Sequence, residues 1–271
     1  MKKFVIDVST WQGKIDWEKV KPHIDGVIIR CGYGQDITKQ DDKRFKYNAD
    51  ECTRLGIPFG VYLYSYANSE EKAKSEAQHA LRLIKPYKLS FPVYLDLEEY
   101  TKRKGAADRA VIFCEMIKEA GYMPGIYANL NWWNNYLRST KLDVYTKWVA
   151  QYHTKLQYKK PCDMWQYSSK GKVEGIKGRV DVNACYRDFP AELGIPVQPE
   201  PIPEPETPKV TIKKGDTVKL KSGAKQYNGK GLASFVYKRK HKVKEVSGNR
   251  VVITYGGIVV AAVKAEDLEV V

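Results

Sequence analysis

The chain has 271 residues, 43% of them hydrophobic, and its 46 Lys and Arg outnumber 32 Asp and Glu for a net charge of +14. That length allows one domain of about 200 residues and a small companion, and the composition excludes bulk disorder. No apolar run approaches the roughly 20 residues of a membrane-spanning helix, and the basic excess asks for an anionic partner, nucleic acid or a bacterial wall.

The first element, in MKKFVIDVSTW, begins like a signal peptide, but Asp7 interrupts the apolar run and no small-residue cleavage site follows. The expectation is a protein made in a reducing cytosol without an export signal. Strand-like runs rich in β-branched and aromatic residues then recur: FVIDVS (4–9), GVIIRCG (26–32), GVYLYSY (60–66), PVYLDLE (92–98), GIYAN (125–129), KWVAQYH (147–153), MWQYSS (164–169) and RVDVN (179–183). Helical stretches lie near 16–23, 42–55, 69–85, 106–120 and 131–138, with helix stops at Gly56-Ile57-Pro58 and Gly121-Tyr122-Met123-Pro124. Eight strands alternating with helices predict an α/β fold, a parallel β/α barrel over residues 1–195. Little room is left for helices between the last three strands, so the barrel should be irregular there. An open doubly wound sheet competes, but no Gly-rich phosphate loop follows strand one.

Residues 196–208, PVQPEPIPEPETP, hold six of the 13 prolines and read as a semi-rigid linker. Beyond it, 209–271 carry 14 Lys and Arg against 5 Asp and Glu, a net of +9. Alternating runs KKGDTVKLKSG, ASFVYKRKHKVKEV, RVVITYGG and VVAAVKAEDLEVV, with turns at Ser222-Gly223, Ser247-Gly248 and Gly256-Gly257, predict a small all-β barrel. The five cysteines form no CxxC pair and read as buried free thiols, and the four histidines lack metal-ligand spacing, so neither metal nor cofactor is expected.

In a β/α barrel the site forms where strands end. Strand one ends in Asp7-Val8-Ser9, strand four in Asp96-Leu97-Glu98, and strand eight carries Asp181-Val182-Asn183. Residues two apart on a strand share a face, so Asp96 and Glu98 point the same way with Tyr94, while Val93, Leu95 and Leu97 face helices. Two close carboxyls divide their protons, one kept as an acid and one as a carboxylate, as glycoside hydrolysis requires. A lone DxE could equally be a solvated edge or a salt-bridged pair. Asp7 and Asp181 at equivalent strand ends favour catalysis. Tyr62, Tyr64, Tyr66, Tyr127, Trp148, Tyr152, Trp165 and Gln166 could line a saccharide cleft, although any one of them alone is better explained as barrel core. Arg30 could bind substrate or sit in a structural ion pair, and the ion pair is preferred.

The motifs FVIDVSTWQGKIDW, GVYLYSYA, VYLDLEE, GIYAN, WVAQY, MWQYSS and VDVN, in that order over residues 1–190, resemble the Chalaropsis-type lysozymes of glycoside hydrolase family 25. The resemblance implies an irregular barrel that cuts the β-1,4 bond between N-acetylmuramic acid and N-acetylglucosamine of peptidoglycan with retention. It makes Glu98 the acid/base and Asp96 its partner, with Asp7 and Asp181 as the other two site acids. It makes Tyr62, Tyr127 and Trp148 cleft residues; with Tyr64, Tyr94, Gln166 and Asn183, read from the strand ends and faces, these are the expected substrate-binding residues. Strand two departs from the pattern, reading IIRCGYG where many relatives have a Lys-Ala-Thr-Glu-Gly type segment. The tail, through KKGDTVKLKSGAKQYNGKGLASFV, GNRVVI and VKAEDLEV, resembles bacterial Src-homology-3-like wall-binding domains. Together these imply a phage or prophage endolysin released through a holin, partnered by Gram-positive peptidoglycan and its wall polymers. The alternatives are a chitinase-like glycosidase, whose strand motif would hold more acids than DLE, and a non-catalytic wall-binding protein, against which intact Asp96 and Glu98 argue; nucleic acid, with Lys238-Arg239-Lys240 as a phosphate patch, would leave the four barrel acids unexplained, and no membrane partner is expected.

Overall fold

The computed structural model describes residues 2–194 and 212–271; the expected linker at 196–208 lies outside the described residues. The chain divides into two compact units, Met1–Ile202 and Pro203–Val271.

The first unit alternates strand and helix in chain order. It runs β1 (Lys3–Val8), α1 (Trp17–Val20), β2 (Gly26–Tyr33), α2 (Phe45–Leu55), β3 (Phe59–Tyr64), α3 (Glu70–Ile84) and β4 (Val93–Asp96). Then follow α4 (Ala106–Glu119), β5 (Pro124–Asn129), α5 (Leu130–Asn135), β6 (Thr146–Ala150), β7 (Met164–Gly171), β8 (Val180–Cys185) and α6 (Phe189–Glu192). Local chemistry starts the helices: Ser69 accepts from Lys72 N at 3.3 Å to cap α3, and Asn129 accepts from Trp132 N at 3.1 Å to cap α5.

The eight strands close into a barrel in sequence order. Each neighbouring pair from β1–β2 to β6–β7 is parallel, but β8 runs antiparallel to both β7 and β1. This corrects the all-parallel expectation, and the cause is connection length. A parallel crossover needs a dozen or more residues. The β6–β7 connection, residues 151–163, just meets that length, whereas residues 172–179 between β7 and β8 fall short and can only turn back.

Two apolar layers result. Val93, Leu95 and Leu97 join Phe113, Ile117 and Ile126 between strands and helices, as the alternation predicts. Inside the barrel, Val5, Ile28, Phe91, Tyr94, Trp148, Met164 and Phe189 fill the space below the mouth. The rings need room there: a Cβ on Gly125 would lie 2.4 Å from the Tyr94 ring and 2.3 Å from Thr146 Oγ1. All five cysteines are free, four of them buried and Cys162 half-buried.

The second unit contains β9 (Thr217–Leu220), α7 (Ser234–Tyr237), β10 (His241–Ser247), β11 (Arg250–Tyr255), β12 (Ile258–Lys264) and β13 (Leu268–Val270). Its described strands form one antiparallel sheet in the order β12-β11-β10-β9-β13, around Val218, Val243, Val251, Ile253 and Val263. The β11–β12 hairpin turns on Gly256 and Gly257, both at positive φ, as a two-residue hairpin demands. Residues 234–237, expected as strand, form a helical turn instead. A strand would send Val236 and Tyr237 to opposite faces. The turn lets Val236 enter the core while the Tyr237 hydroxyl donates to Ala224 O.

Candidate active site

The antiparallel course of β8 explains how its acid reaches the barrel mouth. Asp181 lies near the start of β8, which faces the same way as the ends of the parallel strands, and it pairs directly with Asp7 near the end of β1. Asp96 ends β4, in register with Tyr64 on one side and Tyr127 on the other. Glu98 lies two residues beyond. The mouth therefore gathers four carboxyls from three strands.

They line two adjoining cavities. One, of about 290 Å³, is bounded on its outer side by Trp11, Gln12, Arg30 and Tyr64. The other, of about 150 Å³, is bounded by Tyr127, Trp148, Tyr152 and Gln166. Asp7, Asp96, Glu98, Asp181 and Tyr62 border both, so the acids stand where the two lobes meet.

Each carboxyl is held in its own electrostatic setting. Asp7 is buried, and its Oδ2 accepts from Asn183 Nδ2 at 2.8 Å and Gln166 Nε2 at 3.0 Å. The Gln166 amide is oriented by the Tyr127 and Tyr152 hydroxyls, which donate to its Oε1 at 3.0 and 3.2 Å. Burial, then the charge of Asp181, pushes the Asp7 carboxyl up to about 7 against the pull of those two amide donors. Asp96 is buried, and among the described residues nothing hydrogen-bonds its Oδ1. Burial, Glu98 and Asp7 raise it well above the usual carboxylate range, and Arg30 opposes them. Glu98 keeps surface open to solvent at the rim, yet the surrounding walls desolvate it enough to raise its carboxyl, with Asp181 and Glu99 adding to the rise. Asp181 is raised by burial, and the polar Tyr152 side chain moderates that rise. Burial and mutual repulsion raise all four carboxyls, which favours a proton shared within the cleft over full ionisation.

The structure brings Tyr62, Tyr64, Tyr127, Trp148 and Gln166 to the cleft, but two expected substrate contacts are elsewhere. Tyr94 has no exposed surface and lies beneath the cleft, its ring 5.1 Å from that of Trp148. Asn183 is equally enclosed: it braces Asp7, donates to Val5 O at 3.1 Å and accepts from Trp148 Nε1 at 2.8 Å. Trp148 itself is ringed by Tyr62, Tyr94 and Tyr127 at 6.2, 5.1 and 4.5 Å, so it serves as floor rather than as a free stacking face. Tyr66 and Tyr152 lie beyond their strands, and Trp165 donates to Gln151 O. Arg30 forms the preferred ion pair, with buried Asp42 at 2.8 Å. Sequence reasoning did not single out Trp11, although a tryptophan two residues past the Asp7-Val8-Ser9 strand end was a usable signal. Among the described residues no group of three or more His, Cys, Asp or Glu is disposed to hold a metal ion.

Residues 6–176, within the first unit, match the family model described as glycosyl hydrolases family 25. The chain is 30% identical over 189 residues to the uncharacterized protein YegX of Escherichia coli K12, covering 66% of this chain and 67% of that protein. It is 27% identical over 182 residues to the autolytic lysozyme of Clostridium acetobutylicum, covering 66% of this chain and 54% of that protein. The solved structure of the modular autolysin LytC from Streptococcus pneumoniae, in complex with a synthetic peptidoglycan ligand, superposes with a TM-score of 0.62 at 34% identity. That match covers 68% of this chain and 47% of LytC, so the chain spans about half the length of these two larger proteins.

Proposed function

We propose that this chain, which belongs to glycosyl hydrolases family 25, is a muramidase that hydrolyses the β-1,4 bond between N-acetylmuramic acid and N-acetylglucosamine in Gram-positive peptidoglycan, with retention. The observation that carries this reading is the meeting of four carboxyls at the junction of two cleft lobes, with Asp96 and Glu98 adjacent on one face. A glycan strand crossing both lobes would present its scissile bond to the acids.

Glu98, raised by its setting, holds the proton that the leaving oxygen needs. Asp96 supplies the carboxylate partner: burial raises it, but Arg30 and the positive charge developing at the anomeric carbon both favour its ionised form as the bond breaks. As the leaving oxygen takes the Glu98 proton, the anomeric carbon bonds on its opposite face to Asp96 or to the substrate's own acetamido oxygen; water then breaks that bond from the vacated face, giving its proton to Glu98, and the two inversions retain the configuration. Asp7 and Asp181 keep negative potential and shared protons around the dyad, and Asn183 and Gln166 fix Asp7 in place.

The second unit supports a wall-anchoring role. It carries the basic excess, and Arg239 lies 4.5 Å over the exposed Tyr255 ring and 5.5 Å from that of Phe235. A wall-hydrolase barrel joined to such a unit fits an endolysin that reaches the wall from the cytoplasm through a holin-type pore.

The bond assignment is tested by digesting purified walls, reducing the products with borohydride and hydrolysing them. Muramicitol is the expected product, because the new reducing end belongs to N-acetylmuramic acid. Glucosaminitol alone would mean a glucosaminidase, and new amines without reducing ends an amidase or peptidase.

A further inference from the structure

The chain has six tryptophans, and five are enclosed: Trp17, Trp132, Trp133, Trp148 and Trp165 are each at most 8% exposed. Trp11 is 82% exposed, more than any other large apolar side chain among the described residues. An indole left in water forgoes the burial that makes tryptophan favourable in a fold. This one stands on the wall of the larger lobe, beside the four acids.

Its support is rigid. Residues Thr10–Gln12 form one helical turn closed at both ends of a capping box: Trp11 N donates to Ser9 Oγ at 3.2 Å, and Ser9 N donates to Gln12 Oε1 at 2.8 Å. Thr10 N donates to Asp42 Oδ2 at 3.0 Å. Asp42 has no exposed side-chain surface, accepts from Arg44 N at 2.8 Å and is paired with Arg30. A buried ion pair is costly unless fully bonded, and here its acceptor reaches out to hold the turn that carries the indole.

We propose that Trp11 is a stacking platform for a saccharide unit of the glycan strand, in the Arg30-side lobe beyond the acids, and that the Arg30–Asp42 pair positions it there. The inference rests on the muramidase reading and deepens it. A rigid exposed indole offers a flat apolar face to the CH face of a sugar and loses little entropy on binding. The polar groups of that lobe, Gln12 and Arg30, are placed to meet ring substituents.

The test uses Glu98→Gln full-length protein, to bind without turnover, and soluble glycan strands freed of stem peptides. Binding should shield the exposed indole from acrylamide quenching. Trp11→Ala in the same background should abolish that protection and weaken calorimetric affinity about tenfold, as loss of one tryptophan anchor does. Trp11→Tyr should restore most of the affinity, and in the active enzyme the loss should fall on KM rather than kcat. Because Trp11 is exposed, its truncation leaves the core untouched. Equal affinity of the Trp11→Ala protein, or binding that requires stem peptides, overturns the proposal while leaving the muramidase reading standing. Strands neither bound by the Glu98→Gln protein nor cleaved by the wild type would overturn both.

Discussion

Glu98 lies past the last paired residue of β4, where its side chain is crowded by the cleft walls but still open to solvent. The Glu98→Gln protein keeps shape and loses the proton, so release of reducing ends from walls should fall by about 10²–10⁴-fold, with unchanged circular dichroism and wall binding. The charge of Asp181 follows burial among the causes that raise Glu98. Replacing Asp181 with Asn therefore lowers the Glu98 carboxyl, and the alkaline limb of kcat/KM should move to lower pH; an unmoved limb would assign that limb to another group. Asp7 makes the complementary point in stability. Its carboxyl rises from an ordinary 3.8 to about 7 in the fold. Between those values the folded protein keeps a proton that the unfolded chain releases, so stability falls as pH rises through the window and the full cost is present above it. In Asp7→Asn the single acceptor oxygen still meets Gln166 and Asn183. Urea denaturation should show this variant gaining over the wild type as pH rises from about 5 to about 8, by on the order of a few kcal/mol at the top. A gain independent of pH would sever the link to Asp7 ionisation.

Elements place these residues through depth and direction. Asp181 reaches the mouth near the start of its strand only because β8 runs against its neighbours, and the short β7–β8 connection imposes that course. One layer below, the inner rings carry the cleft floor. Tyr94 supports Trp148, and Gly125 leaves space for Tyr94. Gly125→Ala should therefore destabilise the barrel by about 1–3 kcal/mol, through overpacking. It should also lower activity at temperatures well below its melting point, because displacement of Tyr94 tilts the floor under Asp96 and Tyr127. A melting curve and a rate measured together check both, and a stability loss with full activity would uncouple floor from site.

At the scale of the molecule, each unit has its own core. The barrel clusters draw on residues up to Phe189, and the cluster of the second unit starts at Ile212. A chain ended after Gly194 should keep the barrel's thermal transition and cut soluble glycan strands, while losing attachment to walls. The separate unit of 209–271, with net charge +9, should pellet with walls at low salt. Charge interactions reach only about 3 Å at 1 M salt, so binding that vanishes there is electrostatic alone. Partial survival is the expected outcome, since exposed Tyr227, Phe235 and Tyr255 stand among the lysines. Binding to duplex DNA but not to walls would overturn the wall-anchor reading.

The strands, their faces and the acidic dyad were legible in the amino-acid sequence because alternation is local: Val93, Leu95 and Leu97 against Tyr94, Asp96 and Glu98 can be read without knowing any partner strand. Alternation assigns a face, however, and leaves depth along the barrel open. Tyr94 and Asp96 share a face, yet one is sealed beneath the floor and the other lines the cleft, a difference set by register with β3 and β5. Asn183 likewise looked like a ligand contact until closure of the barrel laid it against Asp7 and Trp148. The direction of β8, the pairing of Arg30 with Asp42 and the exposure of Trp11 all depend on contacts between distant segments. Tertiary structure alone decided these, because ring closure and buried charge pairing are properties of the assembled barrel, whereas periodicity belongs to each strand by itself.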